Sequence, residues 1–92
     1  MWYVYMLFCD EKTYYVGITT NLEKRLCEHR NKESIFTKKF SHIQPIYCEK
    51  YNNQIKAAQR EQQLKGWSRT KKQMLVNGEL GINACTELLK NL

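Results

Sequence analysis

The sequence predicts an α+β domain in which a β-hairpin is followed by helices and one further strand. Residues 2–9 and 13–19 are short runs rich in aromatic and β-branched side chains, which is the composition of β-strands. Residues 20–32 and 52–65 instead place apolar side chains three and four positions apart, the period of an amphipathic helix. Because the chain has 92 residues, 42% of them hydrophobic, we expect one small core and a single domain over residues 1–92.

The register of the hairpin decides which side chains of its two strands meet. The first strand is apolar on both alternating faces, which is typical of a central strand covered on both sides. If Cys9 pairs with Thr13, Tyr5 lies opposite Gly17 and diagonally next to Tyr15. The two tyrosines are therefore predicted on one face of the sheet, with open space at Gly17 beside the Tyr5 ring.

A first helix is predicted from about residue 20 to about residue 32. Thr20 and Glu23 have the spacing of a capping box, in which each side chain satisfies a backbone donor at the start of a helix. Steps of 100° per residue place Arg25 and His29 within the inward-facing apolar stripe or at its edge. Burying ionisable groups costs free energy unless they are paired or used, so both residues are candidates for a functional site.

The remaining elements follow in order along the chain. They are a basic loop at 33–42, a strand at 43–51, a helix to residue 65 for which Asn52-Asn53 offers a cap, a third helix to residue 76 that Ser68 caps, and a C-terminal helical extension at 79–92. On the second helix, Glu61 lies in the middle of a narrow stripe between Ala57 and Leu64, so its carboxylate is expected to face inward.

The net charge of the chain is +6, and its isoelectric point is near 9.2. Residues 24–72 carry thirteen basic and four acidic side chains, whereas the rest of the chain has a net charge of −3. A basic segment of this kind indicates a polyanionic partner, although a solvated surface explains it equally well.

The four cysteines predict free thiols. No two of them have the short spacing of a zinc site, and the apolar run at residues 2–9 is too short to span a bilayer and lacks the flanks of a signal peptide. We therefore expect a cytoplasmic protein with reduced cysteines and no membrane partner.

Five segments of the chain stand in a characteristic order. They are Tyr3-Val4-Tyr5, residues 14–22 (Tyr-Tyr-Val-Gly-Ile-Thr-Thr-Asn-Leu), Lys24-Arg25-Leu26 with His29, Arg60-Glu61, and residues 65–69 (Lys-Gly-Trp-Ser-Arg). In this combination they resemble the GIY-YIG nuclease family, and in particular its small stand-alone bacterial members. The resemblance implies a three-stranded antiparallel sheet flanked by helices and metal-dependent cleavage of phosphodiester bonds in DNA.

The resemblance also implies roles for five side chains. Tyr5 and Tyr15 match the tyrosines of the two half-motifs, Arg25 matches the helix arginine that clamps the phosphate, and His29 matches a histidine one turn later. Glu61 matches the single acidic ligand of a Mg²⁺ or Mn²⁺ ion. Which tyrosine acts on the attacking water stays open, because the two have the same chemistry. Structural explanations also stay open, since Arg25 can pair with Glu61 and Glu61 with Lys65.

DNA, including branched or nicked DNA, is the expected partner, with an accessory protein as a candidate for targeting. The expected nucleic-acid-binding residues are Lys24, Lys38, Lys39, Lys65, Arg69, Lys71 and Lys72, with Trp67 and Phe40 as stacking partners. Because we expect no attached binding domain, sequence specificity is expected to be low.

Two departures from the family pattern bear on this reading. Tyr3 stands where the first half-motif has glycine, and the late asparagine of many relatives has no clear counterpart. A non-catalytic nucleic-acid-binding module is therefore the alternative function, followed by a protein-interaction domain that binds an acidic partner.

Overall fold

A three-stranded antiparallel sheet lies at the centre of the computed structural model, which describes residues 1–78 and 84–91. Its strands are β1 (Trp2–Cys9), β2 (Thr13–Thr19) and β3 (Ile43–Tyr51), in the spatial order β2-β1-β3. The α+β prediction is confirmed, and the central place of β1 explains why this strand is apolar on both faces.

The hairpin register is the predicted one, with Cys9 opposite Thr13 and Tyr5 opposite Gly17. Its loop contains no glycine, yet Asp10 and Glu11 adopt positive φ angles of 52° and 57°. The Asp10 carboxylate stabilises this conformation because it accepts hydrogen bonds from the backbone N–H groups of Ser41 and His42, at 2.9 and 2.7 Å.

Three α-helices surround the sheet: α1 (Leu22–Arg30), α2 (Gln54–Lys65) and α3 (Arg69–Val76). The predicted capping box of α1 is wrong, because Asn21 is the N-cap and its side chain accepts a hydrogen bond from the backbone N–H of Lys24 at 3.1 Å. Asn21 is one residue closer to the helix than Thr20, and its side chain is the one that accepts from this backbone donor. The helix also ends two residues earlier than predicted, at Arg30.

The predicted caps of the other two helices are confirmed, with Asn53 before α2 and Ser68 before α3. Of the C-terminal extension predicted at 79–92, the structure describes a 3₁₀ helix, Thr86–Asn91, preceded by a backbone bridge between Ala84 and Glu49. Residues 79–83 and 92 lie outside the described residues.

The two faces of the sheet bury different clusters. The tyrosine face, named for Tyr5, also carries Leu7, Cys9 and Cys48, and packs against Leu22 and Leu26 of α1 and against Cys85. The glutamate face, named for Glu49, buries Val4, Met6, Val16 and Tyr47 against residues of α2 and α3, namely Ala57, Leu64 and Leu75. A helix on each side of β1 therefore completes a three-layer core.

The four cysteines are free, as predicted, and only Cys27 is exposed. Within residues 1–78 and 84–91, no helix combines the length and the apolar character that crossing a membrane requires.

Candidate active site

Tyr5 and Tyr15 lie side by side on the tyrosine face, with ring centroids 6.2 Å apart. Tyr5 is fully buried, whereas Tyr15 on the edge strand β2 is only partly buried. The Tyr5 ring fills the space at Gly17, where an added Cβ atom would lie 2.6 Å from the Tyr5 hydroxyl oxygen. Glycine is therefore required at position 17 so that the Tyr5 ring can cross β2 at this distance.

The Tyr5 hydroxyl begins a buried chain of hydrogen bonds. It is bonded to His29 Nε2 at 2.9 Å, and His29 Nδ1 is bonded to the Thr37 hydroxyl at 2.6 Å. All three side chains are fully buried. His29 reaches the sheet from α1, and the loop after α1 returns Thr37 to the far side of the imidazole.

Sequence reasoning did not find Thr37. The residue lies in a loop whose only visible features are its polarity and basic charge, and no motif marks a threonine there. Its hydrogen bond to His29 joins residues eight positions apart, across the end of a helix.

Burial keeps this chain uncharged near neutral pH. Burial raises the pKa of Tyr5 well above its usual range, with a further increase from Tyr15, while the Arg25 guanidinium acts in the opposite direction. Burial also lowers the pKa of His29, as does the positive charge of Arg25, and Glu28 opposes this shift. The buried tyrosine is therefore a phenol and the histidine a neutral imidazole.

Arg25 lies at the mouth of the site rather than inside it. Its side chain is 42% exposed and forms an ion pair with Glu28, with Nε and Oε1 3.1 Å apart. A surface pocket beside it is lined by Thr19, Thr20, Asn21, Lys24, Arg25 and Glu28. A guanidinium in this position opposes the rise in the pKa of Tyr5 and can also bind an anion from solvent.

Glu61 lies on α2, whose Ala57 and Leu64 pack on the glutamate face. Its largely buried carboxylate forms an ion pair with Lys65, at 3.4 Å, which is the structural alternative noted above. The hydrogen bonds and ion pairs of the described residues do not connect Glu61 to Tyr5 or His29. The structure therefore brings together the predicted tyrosines, arginine and histidine, and the role of Glu61 as a metal ligand stays a prediction.

The predicted nucleic-acid-binding residues divide between the two sides of the sheet. Lys24 lines the pocket beside Arg25, and Lys38 and Lys39 are exposed in the loop directly after Thr37. Lys24 therefore lies at the site, and Lys38 and Lys39 follow one of its buried residues in the loop.

The other four predicted basic residues belong to α2 and α3. Lys65 pairs with Glu61, and Lys72 is partly buried. The Arg69 guanidinium lies over the rings of Phe8 and Tyr14, and Lys71 Nζ lies 4.3 Å from the centre of the Trp67 ring. Lys65, Arg69 and Lys71 therefore have partners on the glutamate side of the fold.

Stacking of Trp67 and Phe40 on bases stays a prediction, and both rings are partly buried. Trp67 is partly buried against the core and contacts Arg60 and Lys71, while Phe40 packs against the cluster under the tyrosine face. The exposed aromatic ring beside the site is Phe36, whose centroid lies 6.3 Å from that of Tyr15.

Glu49 is a buried charge that sequence reasoning also missed. Its carboxylate accepts hydrogen bonds from the hydroxyls of Tyr47 and Tyr51 and from two nitrogens of Arg60, Nε at 2.9 Å and Nη2 at 3.0 Å. A paired, fully bonded carboxylate of this kind is a structural element. The alternation of Tyr47, Glu49 and Tyr51 along β3 was the available signal, because it puts all three side chains on one face.

The comparison with known proteins agrees with these features. A family model described as the GIY-YIG catalytic domain matches residues 1–74. The chain belongs to the GIY-YIG family. A UPF0213 protein of Natronomonas pharaonis is 39% identical over 80 residues, which cover 86% of this chain and 94% of that protein. A UPF0213 protein of Desulfotalea psychrophila is 35% identical over 86 residues, which cover 90% of this chain and 78% of that protein.

A solved structure has the same GIY-YIG fold. The solution NMR structure of a UPF0213 protein of Bacillus halodurans matches with a TM-score of 0.56 and 28% sequence identity, over 88% of each chain. The prediction of a three-stranded antiparallel sheet flanked by helices is thereby confirmed. Membership of the GIY-YIG family also supports a nuclease-type activity, although the UPF0213 name states no function.

Proposed function

We propose that this GIY-YIG protein is a metal-dependent endonuclease or nickase that hydrolyses phosphodiester bonds in DNA with low intrinsic sequence specificity. The observation that carries the proposal is the buried chain from Thr37 through His29 to Tyr5, whose Tyr5 end lies beside the partly exposed Tyr15 and close to Arg25.

Arg25 is proposed to hold the phosphate. It is exposed enough to meet the substrate, and its planar fork of donors can bind two phosphate oxygens at once. The ion pair with Glu28 opens when the phosphate replaces the carboxylate. Lys24, in the same pocket, adds positive charge for the neighbouring phosphate.

Tyr15 is the better candidate of the two tyrosines for contact with the attacking water. Its ring is partly exposed, whereas Tyr5 is fully buried and its raised pKa excludes a phenolate near neutral pH. The buried Tyr5 is proposed to pass a proton, because its hydroxyl can donate to His29 Nε2 while Nδ1–H donates to Thr37.

The proposed step is hydrolysis coupled to a proton relay. The water oxygen forms the new bond to phosphorus as the bond to the leaving 3′ oxygen breaks. The water gives a proton to Tyr15, Tyr15 gives its own to Tyr5, and Tyr5 gives its own to His29. The leaving oxygen takes a proton from solvent, and His29 later releases its extra proton to solvent.

One carboxylate is enough to fit the divalent ion that the family implies. Among the described residues, no group of three or more His, Cys, Asp and Glu side chains could hold a metal ion. Mg²⁺, however, commonly keeps several waters and takes one or two carboxylates together with substrate oxygens. Glu61 would hold such an ion after releasing Lys65, and when bound the ion would neutralise charge on the phosphate.

The experiment is a nicking assay on supercoiled plasmid with Mg²⁺ or Mn²⁺. We expect cleavage by the native protein and its loss in Arg25→Ala and Glu61→Gln. The matched controls are Lys56→Ala and Glu23→Gln, exposed side chains outside the site, and they should cut normally. Cleavage that is unchanged in both site variants would refute the proposal.

The non-catalytic nucleic-acid-binding module remains the alternative, because Glu61 is bonded to Lys65 and not to the tyrosine site. DNA binding that persists without cleavage at any metal concentration would favour this alternative.

A further inference from the structure

Two large apolar side chains are exposed at the mouth of the site. Ile35 is 75% exposed and Phe36 is 68% exposed, both in the loop between α1 and β3. The Phe36 ring lies against that of Tyr15, with centroids 6.3 Å apart and planes inclined by 31°. Most of the Phe36 side chain is therefore open to solvent beside the proposed reacting group.

The loop holds Phe36 in a defined position. The next residue, Thr37, is fully buried and bonded to His29. The backbone N–H groups of Thr37 and Lys38 both donate to the Ser34 carbonyl, at 3.3 and 2.9 Å, which closes the turn that carries Phe36. The backbone that carries Phe36 is therefore held in place by Thr37, which is bonded to His29 of the proposed proton relay.

Exposed cations stand in the same loop as this ring and in the pocket at Arg25. Lys38 and Lys39 are exposed two and three residues after Phe36, and Arg25 and Lys24 lie across the site on α1. An aromatic face among cations is the arrangement with which proteins bind single-stranded nucleic acid, because each base stacks while its phosphate is neutralised. A fully paired duplex hides the faces of its bases and cannot use the ring in this way.

We propose that Phe36 stacks on an unpaired base next to the phosphate at Arg25 and Tyr15. The preferred substrate is then nucleic acid with an unpaired nucleotide beside the cleaved bond, such as a flap, a gap or a single strand. This inference rests on the proposed function, because it uses the same site.

The test is fluorescence anisotropy without metal, with a labelled single-stranded oligonucleotide and a blunt duplex of the same sequence. Phe36→Ala should weaken binding to the single strand about 5- to 150-fold, the effect of losing one stacked base. Phe36→Trp should retain binding, and Phe36→Leu, which keeps apolar bulk without a π-face, should not. Ile35→Ala is the matched control, because Ile35 is equally exposed and should leave the affinity unchanged.

A second arm locates the stacked base. One abasic nucleotide is moved along the single strand, and the loss of affinity at one position should match that of Phe36→Ala without adding to it. Equal losses for Phe36→Ala and Ile35→Ala, equal losses on single strand and duplex, or no binding of the single strand by the native protein would each overturn the inference.

The two proposals can fail separately. Stacking that depends on Phe36 without any cleavage would refute the nuclease and retain the stacking site. Cleavage of single strand and duplex at equal rates, unaffected by Phe36→Ala, would do the reverse. Urea unfolding of each variant shows whether it is folded, and an exposed ring should change the midpoint little.

Discussion

The two faces of the sheet both bury polar groups, but they do so in different ways. On the glutamate face, the Glu49 charge is enclosed with Arg60, Tyr47 and Tyr51, and its bonds all end inside the protein. On the tyrosine face, the buried groups are uncharged, and the hydrogen-bonded chain from Thr37 ends at Tyr5, beside the partly exposed ring of Tyr15. Among the described residues, no buried side-chain nitrogen or oxygen lacks a partner.

This difference separates a structural network from a functional one. A buried ion pair that is fully bonded can only hold elements together, here β3 to α2. A neutral hydrogen-bonded chain that ends near the surface can take up a proton during a reaction, because it holds no buried charge beforehand. The predictions below test whether the two faces divide stability and activity in this way.

The largest effect is expected for Tyr15→Phe. Removal of the hydroxyl that we propose to contact the attacking water should lower the cleavage rate about 10²- to 10⁴-fold, the usual contribution of a positioned acid or base. The measurement is single-turnover cleavage. Tyr47→Phe removes a phenolic hydroxyl from the glutamate face, and the folded variant should cleave at the native rate. Equal rate losses in both variants would contradict the comparison.

Glu49→Ala should cost the most stability. It leaves the Arg60 guanidinium without its buried partner, and breaking such a pair costs about 3–5 kcal/mol in the free energy of unfolding. Urea unfolding gives this value. Glu61→Ala is the control, since its partner Lys65 is exposed and the loss should be below about 1 kcal/mol. Similar losses for the two glutamates would remove the structural distinction between them.

Gly17→Ala should affect the tyrosine face alone. The added methyl group would lie 2.6 Å from the Tyr5 hydroxyl and 2.7 Å from Cζ, so the ring must move, at a cost of about 1–3 kcal/mol. Cleavage should fall with it, because Tyr5 leaves His29. Gly66→Ala is the matched control: the nearest atom to the new methyl group is 3.5 Å away, and φ is −83°. A loss of unfolding free energy at Gly66 as large as at Gly17 would rule out the clash as its cause.

The smallest effect concerns pH. Because the folded state lowers the pKa of His29, the unfolded chain takes up this proton first as the pH falls below about 6.5. The free energy of unfolding should therefore decrease with falling pH, by at most about 1.4 kcal/mol per pH unit for one proton. Urea titrations at several pH values measure this slope, and His29→Gln should reduce it. A slope that is the same in the variant would assign the effect to another group.

Local patterns were enough to predict much of the fold. The composition of the strand segments placed all three strands, and the structure has the Cys9–Thr13 pairing that was assumed for the hairpin. Asn53 and Ser68 were identified as caps because their side chains serve donors only a few residues away. The error at Thr20 has the same origin, since two adjacent residues could both cap α1.

Sequence alone predicted the strands, most of the helix limits, the shared sheet face of Tyr5 and Tyr15, and the inward position of His29 on its helix. These properties depend on periodicity and turn chemistry, which act over a few residues. The tertiary structure decided that Thr37 completes the chain, that Arg60 encloses Glu49, that Phe36 stands against Tyr15, and that Glu61 lies with Lys65. Each of these depends on which face a helix covers or where a loop returns, and packing of the whole core sets both.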